Sequence, residues 1–325
     1  MEYYYKDITE PDGSWAGLGI NIVQTSLRKF YFQASHGYRF RLLTNKKPIL
    51  WARMDDWNYD YNYIKSFEAW ELDEMPVGII KSPEIEKAKG LSGEDHYKYW
   101  TRLFLEKLVN AQSHLFHEGF WYMGFYKGRE DWFYQNIKPD WRYDDGTIHQ
   151  VDQCLHNLVI QNTDFINRLI TLKELPEDSD GRVKWWRKKI REGSLPPVLV
   201  MYSTLFHSYL VIDGHSRLMA SKLENLPPEI IVLYSMQEER IELAIEDQQK
   251  VSRALEKAKG NKNPISIDKM NEVLIQVFDD RPYTRKICKT IAIKDEGKWE
   301  EEVTKRVLEV GTQEDLNYFI DRWRM

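Results

Sequence analysis

Between Leu18 and about Arg53, short apolar runs alternate with polar positions: Ile20, Ile22 and Val23; Phe30, Tyr31 and Phe32; Phe40, Leu42 and Leu43; Ile49, Leu50 and Trp51. The runs break at Ser35-His36-Gly37 and at Thr44-Asn45-Lys46-Lys47-Pro48, so the pattern predicts strands joined by turns. Leu103, Leu105, Leu108, Val109, Leu115 and Phe116 then recur at helical spacing behind Ser92-Gly93-Glu94-Asp95, predicting a helix over about 94–118 that stops at Gly119. Gly124, Gly128, Pro139 and Asp144-Asp145-Gly146 predict an irregular loop over 124–148, and Val151, Leu155, Leu158 and Val159 a further helix.

From Leu169 the predicted order is strand, helix, strand, strand, helix, strand. Its parts are Leu169-Ile170-Thr171-Leu172, a helix over about 180–191, Val198-Leu199-Val200-Met201-Tyr202, Tyr209-Leu210-Val211-Ile212, a helix to about Asn225, and Ile230-Ile231-Val232-Leu233-Tyr234. Beyond Gln237 the spacing turns helical, with Ile241, Ala244, Ile245, Val251, Leu255 and Ala258 on one face and Gly260 as the stop. Helices follow over about 266–278, 297–310 and 313–323, the last opened by a capping-box pattern from Thr312 to Asp315. The expected fold is α+β: a mixed region over 1–165, an α/β domain over 166–236 and a helical C-terminal extension over 237–325.

With 325 residues, 42% of them apolar, the chain can bury a sizeable core, which excludes wholesale disorder. Forty-six basic against fifty-one acidic residues leave a net charge of −5, so a grip on nucleic acid needs a local patch. Cys154 and Cys288 stand far apart without a C-x-x-C pair, which excludes a disulfide framework and a cysteine zinc site and points to a reducing cytoplasm. The opening residues lack a basic region followed by an apolar one, and no stretch approaches the length of a membrane span, so neither export nor membrane anchoring is expected.

The chemistry concentrates in Asp213-Gly214-His215-Ser216-Arg217, between an apolar strand and a helix. Glycine permits a sharp turn and the close approach of a ligand, and a helix N-terminus offers unpaired N–H groups and the positive end of its dipole to an anion. Arg217 carries a planar guanidinium suited to phosphate, His215 adds a donor, and Asp213 can hold a metal-bound water or a hydroxyl. The plainer account is that Asp-Gly forms a tight turn and Arg217 pairs with an acidic neighbour.

About 168–234 resembles the ParB/sulfiredoxin fold family. The resemblance rests on Leu175-Pro176, Ile190-Arg191-Glu192-Gly193, Leu195-Pro196-Pro197-Val198-Leu199-Val200 and Ile212-Asp213-Gly214-His215-Ser216-Arg217-Leu218-Met219-Ala220, where Gly214, Arg217 and Ala220 fit a Gly-x-x-Arg-x-x-Ala pattern. It implies a turn that binds nucleotide phosphates, with Mg2+ accompanying the nucleotide, in a phosphotransferase or nucleotide hydrolase. Gly214, His215, Ser216 and Arg217 would hold the phosphates, and Asp213 would orient the metal or a nucleophile. Sulfinic acid reduction is excluded because that activity requires a cysteine in the turn, where His215 and Ser216 stand. Ser216 also replaces a histidine common in the pattern and can cap the helix without replacing an imidazole. Kinase relatives carry a carboxylate after the first strand, a place that Glu177 or Glu174 would fill; Glu177 is taken as the candidate base.

Residues 182–191 interleave six basic residues with Trp185 and Trp186, which makes Arg187, Lys188 and Lys189 candidate nucleic-acid contacts. The favoured account is structural: Glu177, Asp178 and Asp180 precede the strip, so acids at the start and bases toward the end complement the helix dipole. His149, Asp152 and His156 share one side of a predicted helix but lack a standard zinc spacing, and His114-Leu115-Phe116-His117-Glu118 matches neither zinc-protease order, so no metal site is expected. The aromatic segment Trp121-Tyr122-Met123-Gly124-Phe125-Tyr126, with Trp132, Phe133 and Tyr134, is read first as core. Two functions remain: a ParB-like nucleotide- or phosphate-binding protein, and a non-catalytic module that binds DNA or a protein partner on the same scaffold.

Overall fold

The computed structural model describes residues 1–25, 28–35, 38–54, 61–66, 75–126, 160–161, 169–206, 208–239, 245–259, 266–278, 283–311 and 313–320. The fold is mixed α+β. The chain divides into two compact units, Met1–Ser235 with Ile287–Met325, and Met236–Lys286.

In the first unit the larger sheet runs in the order β1 (Glu2–Thr9), β2 (Trp15–Gln24), β7 (Gly119–Phe125), β12 (Ile230–Glu239), β10 (Val198–Ser203), β11 (Ser208–Asp213) and β9 (Leu169–Thr171). β10 is antiparallel to β11 and parallel to β12, and β9 is parallel to β11 with Thr171 opposite Val211. β10 is buried along its whole length, which explains why its sequence reads as a continuous apolar run. Alternate residues serve different cores: Leu199 and Met201 join the main core, while Val198, Val200 and Tyr202 face a second cluster with Leu218 and Val232. Helices α3 (Gly181–Arg191) and α4 (His215–Leu223) complete the expected order of elements over this stretch. They place Val183, Trp186, Met219 and Ala220 in the main core.

A six-stranded sheet runs β14 (Thr290–Ala292), β3 (Phe30–Ala34), β4 (Arg39–Thr44), β5 (Lys47–Met54), β6 (Tyr61–Lys65) and β8 (Ile160–Gln161). Its Phe30, Phe32, Leu42 and Leu50 share the main core with Leu199, Leu210 and Ile231 of the larger sheet and with Trp100 and Phe104 of α2 (Gly93–Asn110). The boundary expected at 165/166 therefore does not divide the fold. β1, β2 and β7 extend the sheet of the later strands, and Tyr126 N donates to Ile230 O at 2.9 Å.

Helices α7 (Glu296–Val310) and α8 (Gln313–Ile320) back the six-stranded sheet. Arg41 pairs with Glu302 at 2.7 Å, Arg39 pairs with Glu296 and Glu300, and Trp299 Nε1 donates to Phe40 O at 3.0 Å. Trp299 is fully buried with Trp51, Ile64, Val303 and Val307. Trp299→Ala is expected to cost about 3–5 kcal/mol, since removing a fully buried aromatic side chain leaves a cavity; a urea melt measures it.

The second unit holds the end of β12, helices α5 (Ile245–Lys259) and α6 (Ile267–Phe278), and most of β13 (Tyr283–Ile287). Leu255 and Met270 are its buried apolar side chains among the described residues.

The helix expected to reach 118 ends at Asn110, where Ala111 takes an extended backbone; Leu115 and Phe116 are apolar because the main core buries them, not because a helix continues. Gly124 lies inside β7, not in a loop, and a Cβ there would come within 2.7 Å of Ala16 O, so a close strand approach explains the glycine. The C-terminal extension is not purely helical: β12 continues to Glu239, and β14 pairs in parallel with β3, Thr290 opposite Phe32. The predicted helix at 151–159, its His149, Asp152 and His156, Cys154, Thr312, and Trp132, Phe133 and Tyr134 lie outside the described residues.

Candidate functional site

The end of β11 carries Asp213 directly into Gly214, which caps α4 at φ +109°. A β-carbon on this glycine would lie 2.9 Å from Arg217 Nη2 and 3.2 Å from Val198 Cγ2, so both the turn and the packing beneath it require glycine. Gly214 O accepts the first helical bond from Leu218 N at 2.8 Å. β9 and β11 run parallel, so Lys173, just past β9, leaves the sheet at the edge where the turn begins. Ligands of open α/β sheets bind outside such carboxyl ends.

Arg217 is 2% exposed. Its Nη2 donates to Asp213 Oδ2 at 2.6 Å, and its guanidinium carbon lies 5.4 Å from the centre of the buried Trp186 ring. The guanidinium thus lies beneath Gly214 and braces the turn through Asp213, in place of the phosphate grip expected from the motif. Its Nε has no hydrogen-bond partner among the described residues.

His215 is 8% exposed, and its Nε2 also lacks a partner among the described residues. Burial first, then the charge of Lys173, pushes its pKa down to about 3; Lys65 and Arg217 act in the same direction and Asp213 opposes them. The ring is therefore neutral at pH 7. Ser216 is half-buried beside it.

Lys65, at the end of β6 in the other sheet, reaches the same place: it is buried, and its Nζ donates to Thr171 Oγ1 at 3.1 Å. Lys65, Thr171 and Lys173 escaped the sequence reading. Thr171 and Lys173 could have been found from their place at the end of β9; nothing near Lys65 in the sequence announces its contact with Thr171.

Glu177 is exposed and accepts from Ser179 Oγ at 3.0 Å in the approach to α3, so the structure shows it in a local turn contact and not in contact with Asp213. Glu174 is exposed as well. The basic strip forms α3, capped by Asp180, whose carboxylate accepts from Arg182 N and Val183 N. Arg187 and Arg191 both bind Glu224, whose carboxyl they hold down to about 2, and Lys189 pairs with Glu192 at 2.8 Å. Lys188 is exposed and lies 3.9 Å from Glu192, while Trp186 is buried in the core.

Elsewhere, a groove of about 790 Å3 between β1, α1 (Ser82–Ala88) and α2 is lined by Tyr3, Tyr5 and Tyr99 with residues of both charges, and includes none of the turn. A water-sized cavity of about 30 Å3 has His117 and Cys288 in its lining. Burial pushes the Cys288 thiol up to about 12, which removes it as a nucleophile. His117 Nδ1 donates to Glu118 O at 2.9 Å. Among the described residues no group of three or more His, Cys, Asp or Glu side chains is placed to hold a metal ion, and no helix is long and apolar enough to cross a membrane. No protein-family model matches the chain, and neither curated proteins nor solved structures match it.

Proposed function

We propose that the protein binds the phosphates of a nucleotide at the turn Asp213–Arg217, as the resemblance to ParB-like domains implies, and acts as a phosphotransferase or nucleotide hydrolase. The observation that carries this reading is the glycine-capped N-terminus of α4 at the end of β11, with the buried His215 Nε2 lacking a partner and the charges of Lys65, Lys173 and Arg217 acting on it. Backbone N–H groups and His215 receive the phosphates; Gly214 allows their approach; Arg217 positions the turn. Asp213 is the carboxylate of the turn, with Oδ2 engaged by Arg217, and one carboxylate suits Mg2+ that arrives with the phosphates, since this ion keeps most of its waters and needs few protein ligands. Asp213 would hold such an ion, which would neutralise charge on the phosphates, or would orient the attacking group.

The DNA-binding alternative draws less support, because Arg187 and Lys189 of the strip are already held by glutamates.

Calorimetric titration with ATP, ADP, CTP and GTP in the presence of magnesium tests the reading. Saturable binding of one nucleotide per chain is the expected result. Heat-silent titrations with all four, confirmed by equilibrium dialysis on folded protein, would overturn it.

A further inference from the structure

We propose that β1 is a dimerisation edge: two copies of this chain pair β1 to β1, antiparallel about a two-fold axis at Tyr4, and join their larger sheets into one. The inference stands apart from the phosphate reading. The turn at Asp213–Arg217 leaves β11, next to β9 at the other end of the strand order, so the pairing covers none of it.

Three observations lead to the pairing. First, β1 ends the strand order, and among the described residues it pairs only with β2. Its eight residues include no proline, and the two irregularities of the ladder fall on β2, where Val23 and Ala16 are the extra residues. The outer N–H and C=O groups of β1 therefore form an unbroken row of the kind that another strand extends, where edges are usually shortened, bulged or covered. Second, the side chains along this edge are in water: Tyr4 is 60% and Tyr5 45% exposed, and Glu2 and Lys6 are exposed as well. Tyr3 and Tyr5 line the groove of about 790 Å3 with α1 and α2, and Asp7 accepts from Arg102 of α2 at 2.8 Å, so the odd positions face the helices. Glu2, Tyr4 and Lys6 stand on the other face. The groove leaves room beside Tyr3 and Tyr5 for the rings of an incoming strand.

Third, the edge is complementary to itself in one register. A two-fold axis normal to the sheet keeps every residue on its own face, so only odd meets odd and even meets even. With Tyr4 on the axis, Glu2 of each copy stands opposite Lys6 of the other on one face, and Tyr3 opposite Tyr5 on the helix face. Tyr3 on the axis sets Glu2 against Tyr4, Tyr5 on the axis sets Lys6 against Tyr4 and Asp7 against Tyr3, and Lys6 on the axis opposes like charges. An edge lysine ordinarily repels strange strands. Here Glu2 answers it, which favours a second copy over an unrelated peptide.

Sedimentation equilibrium of the full chain tests the proposal. One strand-to-strand contact buries little beside a standard interface of about 1,600 Å2, so wild type is expected to dimerise weakly, at roughly ten micromolar. Glu2→Lys and Lys6→Glu change exposed side chains only, and each sets like charges opposite one another at both positions, so each is expected to weaken association by roughly tenfold or more. An equimolar mixture of the two variants restores opposite charges at both positions and is expected to recover wild-type association. Tyr4→Cys is expected to give a disulfide-linked dimer on mild oxidation, since directly opposed residues lie about 4.5–5.5 Å apart at Cα. Wild type that stays monomeric at about 200 micromolar, where such a dimer is mostly formed, would overturn the proposal. So would a dimer that neither charge reversal weakens. A mixture no stronger than the single variants, or no cross-link through Tyr4→Cys, would refute the register.

Discussion

Arg217→Ala is expected to lower the unfolding free energy by about 2–3 kcal/mol and to abolish the proposed nucleotide binding, in which the guanidinium does not itself touch phosphate. The side chain is 2% exposed, bonded to Asp213 at 2.6 Å and packed over Trp186. Its removal opens a void beneath Gly214 and strips Asp213 of its counter-charge. Asp213 keeps 29% side-chain exposure, so water relieves part of the stranded charge, and the cost falls below that of a fully buried pair. Without this brace the turn at Gly214, φ +109°, loses the side chain packed beneath it, and the N–H groups of α4 lose their aim. A double-mutant cycle checks the mechanism: Asp213→Ala with Arg217→Ala should cost less than the sum of the single changes, because the second change removes the stranded charge. Urea melts give the stabilities and calorimetry the binding. Additive costs would show that the pair is incidental to the turn.

Acidification is expected to weaken the fold well above the pH at which carboxylates titrate. His215 and His117 have pKa values pushed down to about 3 and about 4, in both cases chiefly by burial, against an ordinary value of 6.5. An unfolded chain takes up protons on both rings as the pH drops through 6.5, while the folded chain does not. The stabilisation is therefore complete above about 6.5 and is lost as pH falls toward 4 for His117 and 3 for His215. Each ring contributes a slope of up to about 1.4 kcal/mol per pH unit inside its window. Glu224, held down to about 2 by Arg191 and Arg187, acts in the same direction only below 4.5, where its unfolded form begins to protonate. Urea unfolding at pH 7.5, 6.5, 5.5 and 4.5 separates them: the histidine loss begins by 5.5. His215→Gln should flatten the profile between 6.5 and 4.5, and an unchanged profile would mean that His215 is not held neutral by the fold.

The parts of this architecture that could be read from the chain are those whose burial leaves a local mark. β10 and β11 show as apolar runs because both faces of each are covered, and Gly214 shows because only glycine sits easily at that φ. What could not be read depends on distant pairing. Nothing in Thr290–Ala292, exposed along its length, announces a partner as far away as β3. Leu115 and Phe116 mimic helical spacing because the core fixes them individually. Arg217 illustrates the limit at the site itself. Its place in the motif was legible, yet its direction depends on the space under Gly214 and on the Trp186 ring, which only the folded chain supplies. Lys65 was invisible for the same reason, since it meets Thr171 only when the two sheets share a core.

The central claim is that the turn binds phosphate through His215 and the N-terminus of α4. The most direct measurement titrates wild type and His215→Ala side by side with ATP, ADP, CTP and GTP in magnesium at pH 7.5, where the imidazole is neutral and both proteins are at full stability. Wild type is expected to bind one nucleotide, and His215→Ala, folded by circular dichroism, to bind it roughly tenfold more weakly or worse. Equal affinities, or no binding to folded wild type, would contradict it.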